Sequence, residues 1–127
     1  MNFIIATGGN KINVGKEKID VLVLRRNCDV SAFLDSDIDV CIYERENLEK
    51  VRKLNSARNL VSCGMHDFDS VTFSSMSDSC AMMCIRRTIS FSTGKTIIPC
   101  EIKSTFDNKV SIYDNLVKSL LLYISEL

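Results

Sequence analysis

The residues best placed by type and spacing to do chemistry lie in Asp35-Ser36-Asp37-Ile38-Asp39-Val40, which runs on into apolar Cys41, Ile42 and Tyr43. Successive side chains of an extended chain point to opposite faces. Asp37 and Asp39 are therefore expected on one face, close enough to share a divalent cation. A pair of magnesium ions so held can clamp a nucleotide's phosphates and activate an attacking oxygen. The plain alternative is a pair of solvent-facing acids on a half-exposed strand.

The surroundings of these acids carry a resemblance. An apolar strand at Val21–Leu24, a connection over 25–36, the Ser36-Asp37-Ile38-Asp39-Val40 strand and a helix at Glu44–Asn59 follow in order. This arrangement resembles the polymerase-β-type nucleotidyltransferase superfamily over residues 18–59. The resemblance implies that Asp37 and Asp39 ligate magnesium and that a neighbouring strand supplies a third catalytic carboxylate. Asp69 is preferred for that role over Glu101. Where the family carries a Gly-Ser turn whose backbone amides approach a triphosphate, this chain has Arg25-Arg26. Two guanidinium groups would hold phosphate in another way, which makes Arg25 and Arg26 the substrate-binding candidates.

A second segment has a rival meaning. Glu101-Ile102-Lys103, on an apolar strand followed by a helix, resembles the PD-(D/E)xK nuclease core. That likeness implies magnesium held by Glu101 and by Asp69 or Asp78, with Lys103 positioning the hydrolytic water. The Pro-Asp of that pattern is missing, and the gap before Glu101 is long.

Weaker motifs have plainer readings. Cys63, His66, Cys80 and Cys84 have zinc-like spacing, but Cys80 and Cys84 lie among Met82, Met83 and Ile85, where buried thiols are more natural. Structural zinc is not expected. Gly9 to Glu17 hints at a phosphate loop but places glutamate where Ser or Thr should ligate magnesium. Gly94-Lys95-Thr96 reads as a turn.

The elements that must position these residues follow from periodicity. Strands are expected at 2–6, 19–24, 37–43, 60–63 and 69–73, then at 80–91 and 96–103 around a hairpin turn. Leu48, Val51 and Leu54 make one face of the 44–59 helix, and Leu116, Leu120 and Ile124 one face of a helix over 110–127. Pro99 suggests a strand start or edge. Lys18 to Arg26 echoes Asp37 to Arg45 residue by residue, as neighbouring strands under one packing demand would. The expected fold is a single α+β domain, 1–127. It would have one mixed sheet of five or six strands, a helix after the Asp-x-Asp strand and a C-terminal helix on one face.

Composition narrows the function. With 127 residues and zero net charge, the chain has no field for strong non-specific nucleic-acid binding. No apolar stretch reaches membrane-spanning length. Six scattered cysteines without an export signal suggest a reducing, intracellular and cytoplasmic setting. Three functions fit: a minimal divergent nucleotidyltransferase acting on a nucleotide with magnesium, a magnesium nuclease, or a non-catalytic intracellular binding or regulatory module with a protein partner.

Overall fold

A computed structural model describes residues 2–6 and 18–127. Its first half is a parallel sheet. Strands β1 (Phe3–Ala6), β2 (Lys18–Leu24), β3 (Asp37–Tyr43) and β4 (Ala57–Ser62) lie side by side in chain order. Lys18 pairs with Asp37 and Val23 with Ile42, a step of 19 positions that matches the sequence echo; Ile38 with Ala57 and Tyr43 with Ser62 repeat the same step.

The two described connections return over the same face. Cys28, Val30 and Phe33 from the first, and Val51 and Leu54 from the second, share a core with Ile19, Leu22, Leu24, Ile38, Cys41 and Tyr43. Lys50 Nζ ties the two together by donating to the Cys28 carbonyl at 2.7 Å.

The opposite face is covered by the second half. An antiparallel sheet of β5 (Val71–Met76), β6 (Cys80–Ile85) and β9 (Cys100–Thr105) has the order β5-β6-β9. A short ribbon pairs β7 (Ile89–Ser90) with β8 (Thr96–Ile97), closed by Gly94 at φ 94°. That backbone angle suits glycine and confirms the expected turn. Helix α2 (Ile112–Ser125) completes the layer. Val21, Val23, Val40, Ile42 and Val61 pack against Phe73, Met83, Ile85, Leu116, Leu120 and Ile124. The parallel and antiparallel sheets touch through one parallel bridge, Cys63 to Val71.

The expectation of one sheet with five or six strands is therefore corrected. The described residues form nine strands in three sheets. One reason is local. Pro99 has no amide hydrogen to donate, so the expected 96–103 strand breaks into β8 and β9, and β9 begins just after it at a sheet edge.

The expected 44–59 helix is corrected as well. It shrinks to a 3₁₀ turn at Arg45–Asn47 and one α-helical turn, α1 (Leu48–Val51). Its apolar stripe is real, since Val51 and Leu54 are buried. However, β4 already starts at Ala57, because pairing with β3 at the 19-residue step claims those residues. The strand expected at 69–73 likewise moves to 71–76, taking in Ser74 and Ser75.

The terminal helix follows its stripe. Leu116, Leu120 and Ile124 are at most 1% exposed, while Lys118 and Glu126 face solvent. Full burial contributes about 1.5–3 kcal/mol for each such side chain. Ser111 caps the helix, its Oγ accepting from the Asp114 amide at 3.0 Å. Buried Asn115 pins the preceding loop by donating to the carbonyls of Asp107 and Ser111 and accepting from the Asp107 amide. Among the described residues, no helix is long and apolar enough to cross a membrane.

Candidate functional site

The two aspartates of the Asp-x-Asp strand meet different environments. Asp37, the first residue of β3, has a side chain 66% exposed, whereas that of Asp39 is 1% exposed. Strict alternation would put Ile38 beside Val40 and Ile42, but it joins the core of Cys41 and Tyr43 instead. Asp39 thus sits where the pleat steps out of period.

A cation already stands between the carboxylates. Lys18 Nζ lies 3.5 Å from Asp39 Oδ1 and 4.0 Å from Asp37 Oδ2, and it donates to Ser92 Oγ. Arg58 Nε approaches the same Oδ1 at 3.6 Å. The other oxygen, Oδ2, accepts from the Ser92 amide at 3.0 Å and from its hydroxyl at 2.9 Å. Burial pushes this carboxyl's pKa up, but the Ser92 hydrogen bonds and the Lys18 charge outweigh it and hold it below the usual carboxylate value. Chemically, the group works at neutral pH as an anion that ties β2, β3, β4 and the β7–β8 ribbon together.

Asp69 lies toward the far end of β3. Burial above all raises the pKa of the Tyr43 hydroxyl, and the nearby Asp69 charge adds a smaller push in the same direction. Tyr43 is four residues along the strand from Asp39, about 13 Å. Asp69 is 2% exposed, and its Oδ2 accepts from the His66 amide at 2.9 Å. It therefore closes the 64–70 loop. Arg86 Nη1 fastens that loop from below, donating to the carbonyls of His66, Asp67 and Asp69 at 3.0–3.3 Å.

Arg25 and Arg26 follow β2 directly and have carboxylate partners. Arg25 forms a forked pair with Asp114 in the first turn of α2. Arg26 reaches Glu44 and Glu46, each at 3.3 Å, and these acids push its pKa further up. Both guanidiniums still reach solvent, with side chains 43% and 66% exposed.

Around them the chain builds a two-chambered cleft at the carboxyl ends of β2, β3 and β4. One chamber, about 390 Å³, is lined by Arg25, Arg26, Glu44, Ser111, Tyr113 and Asp114. The other, about 350 Å³, shares Glu44 and Tyr113 and adds Arg45, Met65, His66, Asp69 and Ile112. Tyr113 forms the divide. Its single hydroxyl hydrogen is donated to the Leu24 carbonyl at 2.8 Å and shared with the Ile42 carbonyl at 3.3 Å, and burial pushes its pKa up. Open α/β sheets generally bind ligands at this end of their strands.

No family model, curated protein or solved structure matches this chain.

The remaining candidates lie elsewhere. Glu101 and Lys103 are exposed on the edge strand β9, paired with Cys84 and Met82 of β6. Asp78 falls in the turn beyond Met76, at the opposite end of that sheet from Glu101. Cys63 is buried, Cys80 is exposed at the start of β6, and all six thiols are free. Burial pushes the Cys41 thiol up to about 12 and raises that of Cys63. Among the described residues, no three His, Cys, Asp or Glu side chains gather as ligands of one ion. The hint of a phosphate loop at Gly9 to Glu17 lies outside the described residues.

Sequence reasoning missed Glu44, Tyr113 and Asp114. Two signals point to them: the first residue past a parallel strand, and the Ser111-x-x-Asp114 cap that starts α2.

Proposed function

We propose that the protein is a non-catalytic binding module that takes a small phosphorylated ligand of the nucleotide class in the cleft at the carboxyl ends of β2, β3 and β4. One observation carries the reading. Arg25 and Arg26 stand side by side at the mouth of a chamber that also receives the first turn of α2. Guanidinium groups and the amino end of a helix both favour phosphate oxygens. Each arginine uses only part of its donor fork on Asp114, Glu44 or Glu46, which leaves N–H groups for a ligand. The adjoining chamber sets Met65, Ile112 and Tyr113 beside the charged Glu44, Arg45, Glu46 and Asp69, a mixed lining that offers both apolar contact and polar partners to the rest of such a ligand.

A transferase would use the same ligand class at Asp37 and Asp39. It would require a metal to displace Lys18 from between them, and a third carboxylate nearer than Asp69. The cleft needs neither change.

Calorimetric titration with ribose 5-phosphate tests the reading. Binding to the wild type is expected, weakened about tenfold or more in Arg26→Ala, since a charge-assisted hydrogen bond contributes about 1.5–3 kcal/mol. Binding that is equal in the two proteins, or absent from the wild type, would overturn it.

A further inference from the structure

Phe68 is 71% exposed, more than any other large apolar side chain among the described residues. An exposed ring on a loose loop would need no explanation, but this loop is fixed. The Asp69 amide donates to the His66 carbonyl at 3.0 Å, and the Asp69 carboxylate accepts from the His66 amide. Arg86 holds three carbonyls of the same turn. Gly64 lies so close to Asp69 that an added Cβ would stand 2.6 Å from its Oδ2. The backbone on both sides of Phe68 is therefore anchored.

The ring is also oriented. The Arg45 guanidinium carbon lies 5.2 Å from its centroid, within cation–π range. Arg45 lines the second chamber of the cleft, and its neighbour Glu46 pairs with Arg26 of the first. A chain of contacts thus runs from Arg26 through Glu46 and Arg45 to Phe68, which lines neither chamber and stands just outside the cleft beyond Arg45. It has a phosphate-binding group at one end and a flat aromatic surface at the other. One face of the ring is engaged by the guanidinium, and the exposure lies on the rest of it.

We infer that Phe68 is the stacking platform for the planar heteroaromatic base of the ligand, held ready by the Arg86-fastened loop, so that the cleft selects nucleotides over simple sugar phosphates. The inference rests on the cleft reading above and goes beyond it by assigning the base and the residue that recognises it. Aromatic stacking of this kind contributes enough that removing the ring weakens binding of a base about tenfold. It is tolerant of which base is offered, because every base presents a π face. Phe68 is a binding residue, with no part in any bond-making step.

The test compares AMP with ribose 5-phosphate on the full chain, for wild type, Phe68→Ala, Phe68→Tyr and Arg26→Ala. Phe68→Ala is expected to bind AMP about tenfold more weakly, with ribose 5-phosphate affinity and thermal midpoint unchanged. Phe68→Tyr should keep AMP affinity near that of the wild type. If Phe68→Ala binds AMP as the wild type does while Arg26→Ala does not, the platform is overturned and the cleft stands. If both ligands lose affinity equally in Phe68→Ala, the ring shapes the loop without reading the base, and the inference fails. If neither ligand binds the wild type, the cleft reading fails and takes the platform with it.

Discussion

Lys18 Nζ stands 3.5 Å from the buried Oδ1 of Asp39, an oxygen with no hydrogen-bond donor among the described residues. The contact joins the first residue of β2 to the middle of the Asp-x-Asp motif. It puts an ammonium group where the sequence pattern suggested a metal. Ser92, from the far side of the chain, satisfies the other carboxylate oxygen. The motif is thereby absorbed into a cross-link between sheet and ribbon.

The pH dependence of stability follows from that carboxyl. Its folded-state pKa lies below the ordinary value, so it binds protons less readily folded than unfolded. Its stabilising contribution is complete above the unfolded value, about 3.9, and is lost as pH falls through the lower folded value. Asp39→Asn should cost about 2–3 kcal/mol in urea unfolding at pH 7, and the gap to wild type should narrow below about pH 4. A gap that stayed constant down to pH 2 would show that the cross-link is not ionic.

The terminal helix offers a clean contrast. Leu120 is fully buried and Lys118 is exposed. Leu120→Ala should lose about 2–5 kcal/mol through the cavity it leaves, whereas Lys118→Ala should stay within about 0.5 kcal/mol of wild type. Equal denaturation midpoints for the two variants would mean that the stripe does not pack on this core.

Gly64 and Asp69 are expected to be coupled. A Cβ at position 64 would meet the buried carboxylate 2.6 Å away, and overpacking of this kind costs about 1–3 kcal/mol. Gly64→Ala and Asp69→Ala should each destabilise. Together they should cost less than their sum, by about 0.5–3 kcal/mol, since the second change removes what the first strikes. Simple additivity would place the loop differently.

The first three strands, and the adjacency of β2 and β3, could be read in advance, though not that they run parallel in a sheet of their own. The echo between Lys18–Arg26 and Asp37–Arg45 is the register itself, because neighbouring parallel strands under the same two cores select the same residues. The α2 stripe was equally plain. What misled was local pattern without tertiary context. Three apolar residues spaced by three fit a long helix as well as one turn followed by a bend, and only the pairing of β4 decides between them. The division into three sheets depends on where chain segments meet, which periodicity does not encode. The candidate site was half legible. Arg25 and Arg26 were named, but as replacements for a Gly-Ser turn. Their setting needed Tyr113 and Asp114, some ninety residues away in sequence.

The location of the ligand is the most direct test of this account, and amide chemical shifts on the labelled protein locate it. During titration with AMP, the shifts should concentrate at residues 25–26, 44–46, 64–69 and 111–114, with Asp37, Asp39 and Ser92 unmoved, and magnesium chloride alone should leave Asp37 and Asp39 unmoved too. Shifts centred on Asp37, Asp39 and Ser92 with either addition would contradict the cleft and return the function to the aspartates.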